Sequence, residues 1–597
     1  MTRREHLRSD DGGWAMVVVL ATTMVLSLLV GIALTSATTA LGTSRRTQDS
    51  LAALAAAQAG VQDYVQQLNR DPLYFQRLAP ATPHAADPGG VDLANPALRR
   101  DATAESPPAR VVRLSDGSEQ SYRYQVLSTR AETEETGRVR LLSVGRSRAE
   151  QRTVRVTLSN ESIFKYLYYA EFETGPPVVQ GSDPVACAAL SHDQHGTTPR
   201  PPGCGDVLFQ NGDDILGPVH TEDRLQIRSE PPSAANGNQQ PPRFRGPVET
   251  GWLDPSGRGY VASGTAAPVF DQGTPVHVDV PFPKYNTELR EQAVAGNGCL
   301  YQGPTRILFH AGGTMTVSTV PGPVAPRASC GTFSSENLWT ATVPVPDNGV
   351  VWVDKSTSST CTVDEQRARI GFPVADDTAL IGGTTSLFHN CVAGTVFVEG
   401  WVRGQTTVAA EDSVFVTGNL RHVGDGGRAV GTPLGTIAED SSGSDSLGLY
   451  ADRGYVAAYH PIACTARGTD PKVLDPTICT GGGDVSRPGD PVSTSRPSIP
   501  TTYPMTGLQI DAAIVAPQAF LLPNVGLGAP KGRLVVLGAI IQRFRGVVSG
   551  LTAQGQLLKG FRKEYHYDRR LRSAPPPYLA DGTTTAWGVD QFAEGPG

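Results

Sequence analysis

The apolar positions of the chain begin with an uninterrupted run, in which no charged residue occurs from Trp14 to Ser44. A bilayer is crossed by about 20 apolar residues, so the run is long enough for a transmembrane helix. It is too long for a secretory signal peptide and lacks the Ala-x-Ala exit of one. The pattern predicts a membrane helix over residues 14–42, with these apolar positions along it: Val17, Val18, Leu20, Leu26 and Leu29.

Beyond this run the apolar residues recur every three or four positions, with alanine between them. That spacing is the stripe of an amphipathic helix, and it predicts a stalk helix over residues 43–69. Pro72 ends the helix, because proline cannot donate to the preceding turn. Residues 14–69 would then form one rod of about 80 Å at about 1.5 Å per residue. The stripe consists of Leu51, Leu54, Val61, Val65 and Leu68.

A short charged segment, residues 1–13, precedes the apolar run and ends in two glycines. This order resembles the type IV prepilins, in which a dedicated peptidase cuts after a final glycine and the apolar helix stays on the mature protein. The resemblance implies a prepilin-type leader over residues 1–13 and cleavage between Gly13 and Trp14. Cleavage after Gly12 is the alternative, and a simple one-span anchor is the alternative for the segment as a whole.

Two sets of motifs resemble a known family. The run from Trp14 to Leu20 followed by Leu51 to Tyr64 resembles the PilX-type minor pilins. Later motifs, from Val408 to Tyr578, resemble an uncharacterised bacterial family of PilX-like, pilus-associated proteins, and this resemblance covers most of the chain. It implies a role in assembly and transfers no catalytic residue. Mature position five is Val17 or Val18, where major pilins usually carry Glu, so a minor, tip-located or priming role is favoured.

Strand patterns follow the stalk. Three runs with alternating polar and apolar residues, residues 122–127, 138–144 and 152–158, predict an antiparallel meander. A helix leading into such a meander is typical of a pilin-like α+β head, which we place at residues 70–169.

The pattern changes again beyond residue 169. The segment Gly217–Thr221 recurs as Gly246–Thr250, and Val396–Val402 is echoed by Leu534–Ile540 with a glycine at the corner. Short strands with glycine corners predict a right-handed β-solenoid over residues 170–547. Residues 481–502 would be a flexible insertion and residues 548–597 a C-terminal cap or tail. The predicted fold is therefore mainly β with one long N-terminal helix; tandem β-sandwiches are the alternative.

All eight cysteines lie beyond the membrane run, which predicts disulfides in an oxidising compartment. Sequence does not fix the pairing, and pairing between chain neighbours is the simplest hypothesis. The pairs would be Cys187 with Cys204, Cys299 with Cys330, Cys361 with Cys391, and Cys464 with Cys479.

Candidate chemistry is sparse. Acidic residues at the corners of a solenoid could act in polysaccharide cleavage, but such residues are usually solvated turn formers, so we predict no catalytic residue. His192 and His195 lie in a loop without metal-ligand spacing, so we expect no metal and no cofactor. The formal net charge of −7 argues against nucleic acid as a partner. The acidic candidates are Asp213-Asp214, Glu411-Asp412 and Asp452 beside Arg453.

These patterns together predict a non-enzymatic structural protein that is inserted in the bacterial inner membrane with a cytoplasmic N-terminus and an exported C-terminal region. Expected partners are the prepilin peptidase, other pilin or pseudopilin subunits and a surface ligand at the pilus or cell surface. Two alternatives stay open at this point: a surface-anchored β-solenoid enzyme acting on carbohydrate, and a tip pseudopilin of a type II secretion system.

Overall fold

The computed structural model divides the chain into two compact units. The first comprises the chain up to residue 133, residues 138–159 and the segment from Trp587, and the second comprises residues 134–137 and 160–586. The residues that the structure describes are 14–70, 74–76, 110–113, 119–129, 132–133, 136–160, 162–180, 183–188, 200, 204–283, 286–295, 297–319, 326–334, 339–357, 362, 366, 370, 372, 390–423, 444–459, 507–523, 525, 530–552, 556–572, 575–579 and 587–595.

One continuous helix, α1 (Trp14–Arg70), opens the first unit. It joins the predicted membrane and stalk segments without a break. Its second half lies against an antiparallel sheet of β1 (Arg110–Arg113), β2 (Glu119–Val126), β3 (Arg138–Ser147) and β4 (Glu150–Asn160). The predicted meander is confirmed, because its three runs are β2, β3 and β4 in antiparallel register.

A fifth strand of this sheet comes from the other end of the chain. β29 (Trp587–Gly595) lies beside β4 at the sheet edge. We expected these residues to belong to a C-terminal cap of the solenoid, and the structure places them in the sheet of the first unit, the head, instead. Trp587 explains the placement, since its ring is buried in the head core at 3% exposure.

The helix approaches the sheet closely where both carry small residues. A Cβ on Gly145 would lie 2.0 Å from the Ala53 carbonyl oxygen, so only glycine fits at this point of β3. Beside it, the Ser143 hydroxyl donates to the Ala57 carbonyl oxygen at 2.7 Å. Tyr64 from the helix then packs edge-on against Tyr124 at 5.4 Å between ring centroids.

The second unit is built from short strands separated by corners. Two short helices are present in the described part of this unit, α2 (Pro184–Ala188) and α3 (Glu288–Val294). Its first strands are β5 (Tyr168–Phe172), β6 (Asp214–Leu216), β7 (Val219–Thr221), β8 (Leu225–Arg228), β9 (Arg243–Phe244), β10 (Val248–Thr250), β11 (Tyr260–Ser263), β12 (Val269–Phe270) and β13 (Val276–His277). The later strands are β14 (Cys299–Gln302), β15 (Thr305–His310), β16 (Thr314–Thr319), β17 (Thr340–Pro344), β18 (Val350–Asp354), β19 (Val396–Val402), β20 (Gln405–Ala410), β21 (Val414–His422), β22 (Ser446–Ala451), β23 (Val456–Ala458), β24 (Gly507–Ala516), β25 (Phe520–Leu521), β26 (Pro530–Phe544), β27 (Ser549–Leu551) and β28 (Leu557–Tyr567).

Most of these strands stack in parallel on three sides of a coil; the exceptions among the described strands are the antiparallel pairs β15–β16, β16–β17 and β27–β28. Sheet one runs β14-β18-β20-β22-β24-β26-β5-β7-β10-β13. Sheet two contains β15-β19-β21-β23-β25 and, in other coils, β8-β11. Sheet three runs β19-β21-β24-β26-β28-β6-β9-β12. Parallel stacking of successive coils is the arrangement of a β-solenoid; the tandem-sandwich alternative is wrong, because sandwiches pair their strands antiparallel.

The repeats seen in the sequence are neighbouring rungs. Val219 pairs with Val248 and Thr221 with Thr250, which is the alignment of the two Gly-Pro-Val segments. The predicted glycine corner is present at Gly400, where φ is +116° and a Cβ would lie 2.2 Å from the Phe309 carbonyl oxygen. Glycine is required there by both conformation and space.

The order of coils differs from the order of the chain. The chain enters at β5, winds to β13, returns to the opposite end at β14 and winds back until β26 pairs with β5. Strand β28, next to β26, then pairs with β6. Both β28, on sheet three, and β5, on sheet one, pair with β26 and so lie in the coil next to it. This coil therefore consists of two pieces of chain that are distant in sequence, and we call it the composite coil. Residues 557–567, expected in the cap, are an internal strand of the stack.

Candidate functional site

The first half of α1 is the largest apolar surface of the described chain. Every residue from Trp14 to Gln48 is exposed, and the ring of Trp14 is 79% exposed. It is the one helix of the described residues that is long and apolar enough to cross a membrane. The five predicted membrane positions are all on this exposed surface: Val17, Val18, Leu20, Leu26 and Leu29.

Most of the hydroxyl groups on this surface donate a hydrogen bond to a backbone carbonyl oxygen of the same helix. Thr22, for example, donates to the Val18 carbonyl oxygen at 2.8 Å, and Ser27 donates to that of Thr23 at 2.6 Å. Lipid supplies no hydrogen-bond partner, so internal satisfaction of this kind suits a helix surrounded by hydrocarbon. Further threonines with the same bond are Thr23, Thr35, Thr38, Thr39, Thr43 and Thr47.

The stalk stripe contacts the head of its own chain. Val61 and Leu68 are buried in the head core, and Leu54 and Val65 are partly buried against it. Leu51 differs, with 60% of its surface exposed. Only Leu51 among these five is thus left open for contact with another subunit, because the others already pack on β2 to β4.

Two of the predicted disulfides are formed. Cys187 is bonded to Cys204, and Cys299 to Cys330. Both pairs close short segments of the second unit, at the loop after β5 and beside β14. The other two predicted pairs, Cys361 with Cys391 and Cys464 with Cys479, include residues outside the described part of the chain.

The first two candidate carboxylates, Asp213 and Asp214, each form an ion pair with a basic side chain. Asp213 is buried and receives a hydrogen bond from the Lys563 ammonium at 2.7 Å. Asp214 pairs with Arg245 at 2.7 Å on the surface. Each of the two carboxylates is therefore already paired with a counter-charge of the same chain.

The second group stacks at one corner, after successive strands of sheet one. Glu411 pairs with Arg453 at 3.3 Å and accepts from the Lys355 backbone N–H at 2.8 Å. Asp452 accepts from the Tyr450 hydroxyl at 3.0 Å. The sequence candidates Glu411, Asp452 and Arg453 are thus brought together as an ion-paired ladder.

Asp412, in the same corner, has a raised pKa. Burial raises its pKa to about 6, a hydrogen bond from Ser413 acts in the opposite sense, and the charge of Glu411 adds to the rise. Perturbed carboxyls mark catalytic sites in many proteins, but structural burial has the same effect. Here the Ser413 hydroxyl lies 3.4 Å from the Asp412 carboxylate and also accepts from the Tyr455 N–H. The arrangement secures the corner of one coil on the next.

Sequence reasoning missed a buried charge network at the composite coil. Arg545 donates to Glu173 at 2.6 Å and lies over the Phe209 ring at 3.5 Å from its centroid. Asp223 accepts from the Glu173 N–H at 3.1 Å and pairs with Arg200. The residues are scattered between positions 173 and 545, so no spacing in the sequence signals the network. It fixes the register in which the last coils meet the first.

A second missed group lies on the outer face of sheet one. His220 is fully buried, stacks on Tyr169 and contacts Glu222 at 2.8 Å. Burial acts to lower the His220 pKa, but hydrogen bonding to Glu222 and the nearby Glu249 carboxylate raises it overall. Glu222 also accepts from the Val280 N–H, and Tyr169 donates to the Val280 carbonyl oxygen at 2.6 Å. The group holds the returning chain segment against the sheet.

Among the described residues, no group of three or more His, Cys, Asp or Glu side chains could hold a metal ion. His192 and His195 fall outside those residues, so their predicted loop role stays a prediction.

Comparison with known proteins gives a structural likeness to a pilin. No protein-family model and no curated protein sequence matches the chain. The crystal structure of the competence-associated pilin ComZ from Thermus thermophilus is similar over 92% of this chain and 98% of that chain, at 13% sequence identity and a TM-score of 0.27. What the fold itself defines is a mainly β protein that carries a long, exposed, apolar N-terminal helix.

Proposed function

We propose that the chain is a membrane-inserted, exported structural protein of the type IV pilin kind, acting as a minor subunit in assembly or surface contact. The supporting observation is α1, which is uncharged and exposed over its first half and packed on an antiparallel head over its second half. Such a helix can leave the bilayer and enter a bundle of like helices without changing its own fold. The N-terminus would be cytoplasmic and the head and solenoid exported.

The proposal includes processing at Gly13–Trp14 by a prepilin peptidase. A small residue is needed where the enzyme closes on the leader, and the uncharged run follows Gly13 directly from Trp14. In cells that contain the peptidase, Gly13→Arg should leave the leader on the protein, measured as the mass of the mature chain. An unchanged mature mass would remove the main support for the pilin-like role.

Assembly is tested at Leu51, because this stripe residue is exposed rather than committed to the head. Leu51→Asp should abolish association with filaments by placing an unpaired charge in a helix bundle, while the head stays folded. Leu51→Ala, which shortens the same side chain without adding a charge, is the control. Normal filament association of Leu51→Asp would contradict the proposed packing, whereas Val61→Asp would report only on the head core.

The solenoid is proposed to act by contact rather than catalysis. The observation that supports this is the pairing of each candidate carboxylate with a cation or a hydroxyl in the described coils. Release of sugar fragments from a polysaccharide, with loss of activity in Glu411→Gln or Asp412→Asn, would replace the proposal by the enzymatic one.

A further inference from the structure

We infer that exposed arginines at the end of the apolar run bind the anionic phospholipid headgroups of the bilayer that α1 crosses. This inference rests on the proposed membrane insertion. The residues concerned, which we call the basic rim, are Arg45 and Arg46 on α1 and Arg146 and Arg148 at the turn between β3 and β4.

The helix sets the depth of the rim. Arg45 is the first charged residue after Trp14, and the 31 helical steps from Trp14 to Arg45 correspond to about 46 Å at about 1.5 Å per residue. A bilayer with its headgroups is about 40–45 Å thick. With Trp14 at one interface, Arg45 and Arg46 therefore lie at the headgroups of the opposite leaflet.

The β3–β4 turn is held at the same level. Arg148 pairs with Asp49 at 3.1 Å, and Asp49 lies one helical turn beyond Arg45. Arg146 is tied to the same turn, since its Nε donates to the Arg148 carbonyl oxygen at 3.0 Å. Both ends of the rim thus converge on one turn of α1, and all four side chains are on exposed residues.

The conformation of Arg148 is a second, independent observation. Its φ is +51°, in the left-handed region that glycine or asparagine occupies at lower cost in a two-residue hairpin turn. An arginine kept in this position is strained, and strain of this kind is concentrated at functional sites. Its side chain is 66% exposed and gains little from the fold beyond the exposed pair with Asp49.

The excess of positive charge on the rim and its position next to the lipid-exposed helix indicate that its partner is an anionic lipid headgroup. Among the described side chains, the acidic ones beside the rim are Asp49 and Glu150, which are both half-buried and fewer than the four exposed arginines. The rim continues directly from the lipid-exposed part of α1, so the headgroups of that bilayer are the nearest anions. Each arginine near an anionic surface strengthens the association roughly fivefold.

The test uses the full chain reconstituted in vesicles, with a spin label on Ala149→Cys attached without reductant so that the disulfides stay closed. Adding phosphatidylglycerol to phosphatidylcholine vesicles should lower the collision rate of the label with an aqueous relaxation agent by roughly threefold or more. High salt should restore the rate, and so should Arg146→Gln combined with Arg148→Gly. Arg148→Gly relieves the strained φ, so loss of folding is not the expected cause of its effect.

Arg155→Gln is the matched control, because this exposed arginine of β4 lies five residues from the turn, about 17 Å along the strand. It should leave the lipid effect unchanged. An equal collision rate in neutral and anionic vesicles would overturn the inference, and so would a change that appears only with a second pilin subunit present. Flotation of the chain with the vesicles after an alkaline wash is scored separately: its failure would contradict membrane insertion itself.

Discussion

Asp412 shows how one buried carboxyl shapes the stability of a coil. Its pKa is raised to about 6, above the value of about 4 that an aspartate has in an unfolded chain. The folded state therefore binds the proton more tightly than the unfolded state does. The stability contributed by this group is complete below about pH 4 and is lost as the pH rises through 6.

Asp412→Asn should consequently raise the free energy of unfolding at pH 8 by about 1–3 kcal/mol and flatten its dependence on pH between 4 and 7. Denaturant unfolding of the disulfide-intact protein at several pH values measures this. Glu411→Gln is the control, because it loses ion pairs with Arg453 and Lys355 and should lower stability by up to about 1 kcal/mol. A loss of stability at pH 8 in Asp412→Asn would mean that the carboxylate is held by a charged partner.

At the scale of elements, strand β29 has one buried side chain, that of Trp587. The Trp587 ring packs against Phe75, and its backbone N–H donates to the Asn69 side chain at 2.7 Å. Beyond Trp587 the strand is almost wholly exposed, including Val589 and Phe592. The contacts of Trp587 and the pairing with β4 thus account for most of its attachment.

Trp587→Ala should release β29 from the head sheet, since truncating a buried tryptophan costs about 3–5 kcal/mol. Amide hydrogen exchange of residues 588–595 should accelerate by at least tenfold, with β2 and β3 changed less. Phe592→Ala, which removes an exposed aromatic ring of the same strand, should leave the exchange unchanged. Equal protection of β29 in both variants would show that backbone pairing alone holds the strand.

The sequence predicted those elements whose signal is local. The uncharged run, the alternation in β2 to β4 and the recurrence of Gly217–Thr221 as Gly246–Thr250 each follow from neighbouring residues, and each is present as expected. The disulfide between Cys187 and Cys204 could be predicted for the same reason, because the two cysteines are neighbours in the order of cysteines along the chain. Cleavage at Gly13 and the right-handed sense of the solenoid stay predictions.

What could not be predicted depends on contacts between distant parts of the chain. Nothing local to Trp587 indicates that its pocket is made by Asn69 and Phe75. The stalk stripe was recognised as amphipathic, but periodicity does not say whether Val61 faces another subunit or its own head. Likewise Arg545 and Glu173 carry no mutual spacing signal, so the network at the composite coil became visible only with the fold.

For the molecule as a whole, the composite coil is where the two halves of the solenoid are joined. Arg545→Met would leave Glu173 buried without its cation, and Glu173→Gln would do the converse to Arg545. Each single change should destabilise the second unit by about 3–5 kcal/mol, because an unpaired charge is left in the interior. The double variant Arg545→Met with Glu173→Gln leaves no unpaired charge. Its loss of unfolding free energy should be no more than half of the sum of the two single losses.

The measurement is thermal unfolding of four proteins: the unmodified chain, each single variant and the double variant. The difference between the double variant's loss and the sum of the two single losses gives the interaction energy of the pair. Arg245→Met serves as a comparison, since its partner Asp214 is on the surface and a loss of no more than about 1 kcal/mol is expected. Additive losses in the double variant would mean that the pair does not act as a unit.

The composite coil also has a consequence for the order of synthesis. A rearranged gene for the solenoid alone, which began at Gly298 and joined Tyr567 to Leu167, would make spatially successive coils successive in translation, and the strands β5 to β28 would keep their present neighbours. The natural gene does not follow that order. The helix and strands β1 to β4 are made first, β5 to β13 next, and the edge of β5 stays without β26 until more than 300 further residues have been made. During synthesis that edge of β5 is an unpaired strand edge, which β26 of the same polypeptide later covers.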